Sequence, residues 1–125
     1  MKTVLILDDD DAVRDSLMAF FEDRGWRVLP AASGEEALTI MESETPDGAL
    51  VDIRLPGMDG NEFIRQASRR CSCLAYVIIT GSPEYQLPED VMVMPRVSDN
   101  VFAKPVIKLD RIETALLHQI DQCLG

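Results

Sequence analysis

Four acids in succession, Asp8-Asp9-Asp10-Asp11, follow directly on the apolar run Val4-Leu5-Ile6-Leu7. Like charges about 4 Å apart repel by roughly 4 kcal/mol at an effective dielectric near 20, and a divalent ion relieves that cost. Hard carboxylate oxygens with no His or Cys beside them favour Mg²⁺ over zinc. Three further polar residues close apolar runs in the same way: Asp52 after Ala49-Leu50-Val51, Thr80 after Leu74 to Ile79, and Lys104 after Val101-Phe102-Ala103. The acids suit a metal ion. A hydroxyl and an ammonium suit phosphoryl oxygens, whose transfer needs donors and positive charge around the equatorial positions. An isolated carboxylate in this company can also serve as nucleophile and form an aspartyl phosphate.

For these groups to meet, the runs before them must be strands whose carboxyl ends share one edge of a parallel sheet, where open α/β sheets place their ligands. Strand and helix signals alternate along the whole chain, as right-handed βαβ units require. Val13, Leu17, Phe20 and Phe21 recur at helical spacing and stop at Arg24-Gly25. Trp26 to Leu29 reads as a short strand, and Ser33-Gly34-Glu35-Glu36 as a capping box opening a helix to about Met41. Pro46-Asp47 breaks that helix. After Asp52 comes the turn-rich Pro56-Gly57-Met58-Asp59-Gly60, then a helix from about Asn61 to Arg70. Leu109, Ile112, Leu116 and Ile120 line one face of a last helix.

The fourth crossover breaks the pattern. Pro83, Pro88 and Pro95 fall where a helix is due, and a proline inside a helix costs about 3 kcal/mol. This segment is expected to be irregular or only briefly helical, with the last strand at Val101 to Ala103. Its loose grouping Val91-Met92-Val93-Met94 is expected to offer a partner-binding or homodimer surface.

At 125 residues, 46% of them hydrophobic, the chain is expected to form one domain spanning residues 1–125. No apolar stretch is long enough for a bilayer and no secretory signal is seen, so a cytoplasmic location and no membrane partner are expected. A net charge of -10 disfavours direct contact with nucleic acid. Three cysteines at Cys71, Cys73 and Cys123 support neither a disulfide framework nor a zinc site. His118 reads as an ordinary helix residue, and Asp10 and Asp11 as acids favoured by a helix dipole.

Taken together, Asp8-Asp9-Asp10-x-x-x-Arg14, Asp52-Ile53-Arg54-Leu55-Pro56-Gly57-Met58-Asp59-Gly60, Thr80-Gly81 and Lys104-Pro105 resemble, in order and spacing, the receiver domain of two-component response regulators. The resemblance implies a three-layer, doubly wound α/β fold with a five-stranded parallel sheet in flavodoxin-like order 2-1-3-4-5, an order for which the general rule itself takes this family as its example. It implies that Asp52 accepts a phosphoryl group from a sensor histidine kinase or a histidine phosphotransfer protein. Asp9 would bind Mg²⁺ directly, Asp8 largely through water, and the backbone carbonyl of Arg54 would complete the protein ligands together with Asp52. Thr80 would donate to a phosphoryl oxygen, Lys104 would bridge that oxygen and the acidic pocket, and Gly81 would leave space above Asp52. The chain would be a switch signalling to an output domain or protein, not a turnover enzyme.

Two rival functions fit part of the pattern. Asp9-x-Asp11-x-Val13 matches the opening motif of haloacid-dehalogenase-type phosphatases, but the acids after Lys104 (Asp110, Glu113 and Asp121) fall on a helix, not at a strand end. A non-phosphorylated interaction module would show incomplete chemistry, and here the set is complete. One departure from the family stands at Val101, three residues before Lys104, where an aromatic is usual; Phe102 follows one place later. A rotating aromatic switch is not expected.

Overall fold

In the computed structural model, which describes residues 1–81, 86–105 and 108–124, strands and helices alternate. They are β1 (Thr3–Leu7), α1 (Asp11–Asp23), β2 (Arg27–Ala31), α2 (Gly34–Ile40), β3 (Gly48–Asp52), α3 (Gly60–Arg70), β4 (Ala75–Thr80), α4 (Glu89–Met92), β5 (Val97–Ala103) and α5 (Leu109–Leu124). All four strand pairings are parallel, in the order β2-β1-β3-β4-β5. This is the three-layer doubly wound arrangement and strand order expected.

The side-chain period of two sorts the apolar runs between two faces. Leu5, Leu7, Val51, Tyr76 and Ile78 join Phe63 and Ile64 of α3 in one core cluster. Val4, Ile6, Leu50, Val77 and Ile79 join Leu17 and Phe21 of α1 and Ile112 and Leu116 of α5 in the other. Burial on both faces is why β1, β3 and β4 read as unbroken apolar runs. Pro30 is tolerated because β2 is an edge strand, where a missing N–H breaks no ladder on the outer side. Ser33 Oγ accepts from the Glu36 amide at 3.1 Å, as the capping pattern predicts. Asp10 proves to be the α1 N-cap, its carboxylate accepting from the Ala12 and Val13 amides, with Asp11 in the first turn.

The fourth crossover is irregular, with one four-residue helix among its described residues; Pro83 lies outside them. Two expectations are corrected here. β5 begins at Val97, not Val101, because Tyr76 pairs with Val97 and Ile78 with Val101, so residues 98–100 bulge from the ladder. That stretch has no apolar alternation to announce a strand. Cys73 is disulfide-bonded while Cys71 is a free thiol, since cysteine spacing says nothing of which thiols the fold brings within reach.

Candidate functional site

β1 and β3 are neighbours, and each ends in an acid that the sheet carries to the same edge. Asp8 and Asp52 are 2% and 3% exposed, whereas Asp9 is exposed. One oxygen from each of the three carboxylates lies within 4.8 Å of the others. Lys104, just beyond β5, inserts its ammonium between the two buried acids, 3.0 Å from Asp8 Oδ2 and 3.1 Å from Asp52 Oδ2. Its backbone amide is fixed by a 2.8 Å bond to the Thr80 carbonyl, and the Lys104–Pro105 peptide is cis.

The remaining lone pairs are partly used. Asp52 Oδ1 accepts from the Arg54 amide at 3.2 Å, and Asp8 Oδ1 accepts from the Asp10 amide at 2.9 Å and from Lys104 at 3.2 Å. Asp8 Oδ2 is buried and accepts no hydrogen bond among the described residues, although the ammonium stands 3.0 Å away, outside hydrogen-bonding direction. Three carboxylates thus lie close together at this edge, with the Lys104 ammonium between the two buried ones. Burial, then the charge of Asp8, push the Asp52 carboxyl up to about 6, and Lys104 and the Arg54 amide only partly oppose them. Burial alone would lower the Lys104 ammonium, but its hydrogen bonds and charge pairing with Asp8 and Asp52 outweigh it and raise the pKa.

A divalent cation fits this donor set. Three carboxylate oxygens spread over 4.8 Å would hold Mg²⁺ by closing on it or partly through water, as suits an ion that usually keeps several of its waters. The orphaned Asp8 Oδ2 and the surplus negative charge both favour such an ion.

Thr80, 2% exposed, ends β4 beside this group. A Cβ added at Gly81 would meet no heavy atom of the described residues within 4 Å. Arg54 borders a cleft of about 580 Å³ together with Asp9, Leu55 and Asp59. Val101 is exposed and Phe102 packs partly into the α1/α5 core. Glu113, set aside above as a helix acid, is a buried strut that accepts from Trp26 Nε1 at 2.8 Å and from Arg24.

Two supporting residues stand in the motifs quoted above without a role of their own. Gly60 opens α3 so close to β3 that a Cβ would stand 2.5 Å from the Asp52 carbonyl oxygen and 2.8 Å from Ile53 Cα. Arg14 donates to the Asp8 carbonyl at 2.8 Å. The one signal for the latter was its spacing from the acids.

A parallel sheet in order 2-1-3-4-5 with two buried acids and a lysine at its carboxyl edge defines a phosphoacceptor-type α/β module. The chain belongs to the response regulator receiver domain family, whose model matches residues 4–117. Receiver domains act as phosphoacceptor switches. The chain is 36% identical over 107 residues to the transcriptional regulatory protein AfsQ1 of Streptomyces coelicolor, covering 85% of this chain and 46% of that protein. It is 31% identical over 113 residues to sporulation initiation phosphotransferase F of Bacillus subtilis, covering 90% and 89%. A response regulator receiver domain protein (CheY-like) from Methanospirillum hungatei superimposes with a TM-score of 0.81 at 32% identity over 98% of both chains. The chain therefore spans less than half of AfsQ1 and nearly all of the Bacillus protein. Among the described residues no helix is long and apolar enough to cross a membrane.

Proposed function

We propose that residues 1–125 form one receiver domain in which Asp52 accepts a phosphoryl group from a sensor histidine kinase or a histidine phosphotransfer protein. The observation that carries this reading is the placement of Asp52. It ends the central strand, is almost fully buried, and shares the Lys104 ammonium with Asp8.

Asp8, Asp9 and Asp52, with the Arg54 carbonyl, would hold Mg²⁺. When bound, the ion supplies positive charge that neutralises the phosphoryl oxygens and the surplus carboxylate charge. The chain's own residues do the rest. Asp52 attacks phosphorus as an ionised carboxylate, forming a P–O bond while the donor's P–N bond breaks and the donor imidazole leaves with that electron pair. Burial and the Asp8 charge raise the carboxyl to about 6, and the ion together with Lys104 would keep it ionised for the attack. Lys104 already lies 3.1 Å from the acceptor oxygen, where an ammonium offsets charge developing on the transferred group. Thr80 would donate to another phosphoryl oxygen, and Gly81, having no side chain, would leave room for the group.

The phosphorylated chain would then act on an output domain or partner protein, as a switch and not as a turnover enzyme. Intact mass after treatment with acetyl phosphate and Mg²⁺ tests the assignment. One added phosphoryl group is expected on the wild type and none on Asp52→Asn; equal labelling of both would assign the acceptor elsewhere.

A further inference from the structure

Among the three acids Asp9 is held least. Asp8 is fixed by the Asp10 amide and Lys104, and Asp52 by the Arg54 amide and Lys104. Among the described residues no hydrogen bond or ion pair holds the Asp9 carboxylate, which is exposed. Its position is set by its backbone alone, and that backbone is the turn between β1 and α1.

Arg14 grips this turn from one helical turn along α1. Its Nη1 donates to the Asp8 carbonyl oxygen at 2.8 Å, and its Nη2 pairs with the Asp11 carboxylate. The Arg14 side chain is only 17% exposed, so solvent competes weakly for these bonds. The peptide bond is planar, and the Asp8 carbonyl therefore shares one plane with the Asp9 nitrogen and Cα. Holding the oxygen fixes that plane and with it the direction in which the Asp9 side chain leaves the turn. A planar guanidinium can bond two acceptors in a set geometry; an ammonium of the same charge cannot reproduce that fork.

We infer that Arg14 is a positioning residue for the metal-binding acids, orienting Asp9 through the Asp8–Asp9 peptide. The inference rests on the Mg²⁺-site reading above. Its sign separates it from simple electrostatics. A cation next to an acidic pocket repels a second cation, so by charge alone removal of Arg14 would tighten Mg²⁺ binding. Positioning demands the reverse. Groups that orient a ligand from behind typically contribute 10- to 100-fold to metal affinity.

The test is isothermal titration of the full chain with MgCl₂ alone, for wild type, Arg14→Ala, Arg14→Lys and Asp9→Ala, with far-ultraviolet circular dichroism to establish folding. Both Arg14 variants are expected to bind Mg²⁺ about tenfold or more weakly than wild type. Their phosphorylation by acetyl phosphate should half-saturate at correspondingly higher Mg²⁺ yet reach the wild-type plateau, a split that general loss of structure would not produce. If Arg14→Ala does not fold, Arg14→Lys, whose aliphatic stem keeps its packing, decides alone. Affinity equal to or tighter than wild type in the Arg14 variants would overturn the inference while leaving the metal site standing. No Mg²⁺ binding by the wild type would overturn the site itself and the inference with it.

Discussion

Lys104 Nζ and Asp52 Oδ2 stand 3.1 Å apart although 52 residues separate them in the chain. The same ammonium serves Asp8, so among the described residues it is a cation that keeps two nearly buried carboxylates at close quarters. Removing it leaves both charges unpaired, a change that costs about 3–5 kcal/mol at fully buried sites. Because Lys104 itself is 20% exposed, Lys104→Ala is expected to lose about 2 kcal/mol, less than that limit, in buffer containing a chelator. Millimolar Mg²⁺ should recover most of it. Urea denaturation with and without the metal measures both values, and stability equal to wild type in chelator would refute the bridging role.

The raised carboxyl of Asp52 sets a second expectation. A folded-state value of about 6 against an ordinary 3.8 means the native protein holds this proton more tightly than the unfolded chain. Its favourable contribution is therefore complete below about pH 4 and is lost as pH rises through 6. Asp52→Asn, which never carries the charge, should be more stable than wild type at pH 7 without metal, by about 1–3 kcal/mol. The advantage should shrink towards zero as pH falls from 7 to 4. A difference independent of pH across that window would mean that Asp52 titrates normally.

Gly60 supplies a prediction of a different kind, because nothing electrostatic is involved. Its missing side chain lets the first turn of α3 lie against the last residue of β3, with the Gly60 amide donating to the Ile53 carbonyl at 3.1 Å. A methyl group there would meet backbone on two sides, and backbone cannot rotate away as a side chain can. Gly60→Ala should cost about 1–3 kcal/mol. It should also lower the extent of phosphorylation at fixed Mg²⁺ by displacing Asp52. Unchanged melting temperature and labelling would show that the loop yields freely.

How far the sequence could be read follows from what each signal encodes. The runs ending in Asp8, Asp52 and Thr80 were legible because a strand buried on both faces must be apolar throughout, and the acids then follow at its carboxyl end. That Lys104 reaches the acidic pocket was implied by the family resemblance, but its sharing between Asp8 and Asp52 at about 3 Å was not legible, since spacing can bring groups to one edge but cannot set a separation. β5 was read four residues short because Ser98-Asp99-Asn100 bulges from the ladder and carries no alternating pattern. Gly60 looked like a turn glycine among others; its role depends on how α3 packs against β3, which no local pattern records. Glu113 read only as an acid on a helix; its role as a buried acceptor depends on Trp26 and Arg24, far back in the chain, which donate to it.

The short fourth helix divides two methionines that the sequence grouped together. Met92 is 53% exposed, and Val93 beside it is 70% exposed. Met94 is half-buried and packs against the cluster that contains Val91, Phe63 and Tyr76. Met92→Ser should therefore change stability by no more than about 0.5 kcal/mol, whereas Met94→Ser should cost about 1–3 kcal/mol of lost burial. If the apolar surface left by this four-residue helix binds a partner or a second copy, Met92→Ser combined with Val93→Ser should weaken that association and leave labelling of Asp52 unaltered. Sedimentation velocity of the phosphorylated and unphosphorylated protein reads the self-association, and chemical denaturation reads the stabilities. Equal destabilisation by Met92→Ser and Met94→Ser would place both side chains in the core and remove the basis for an apolar docking face at α4.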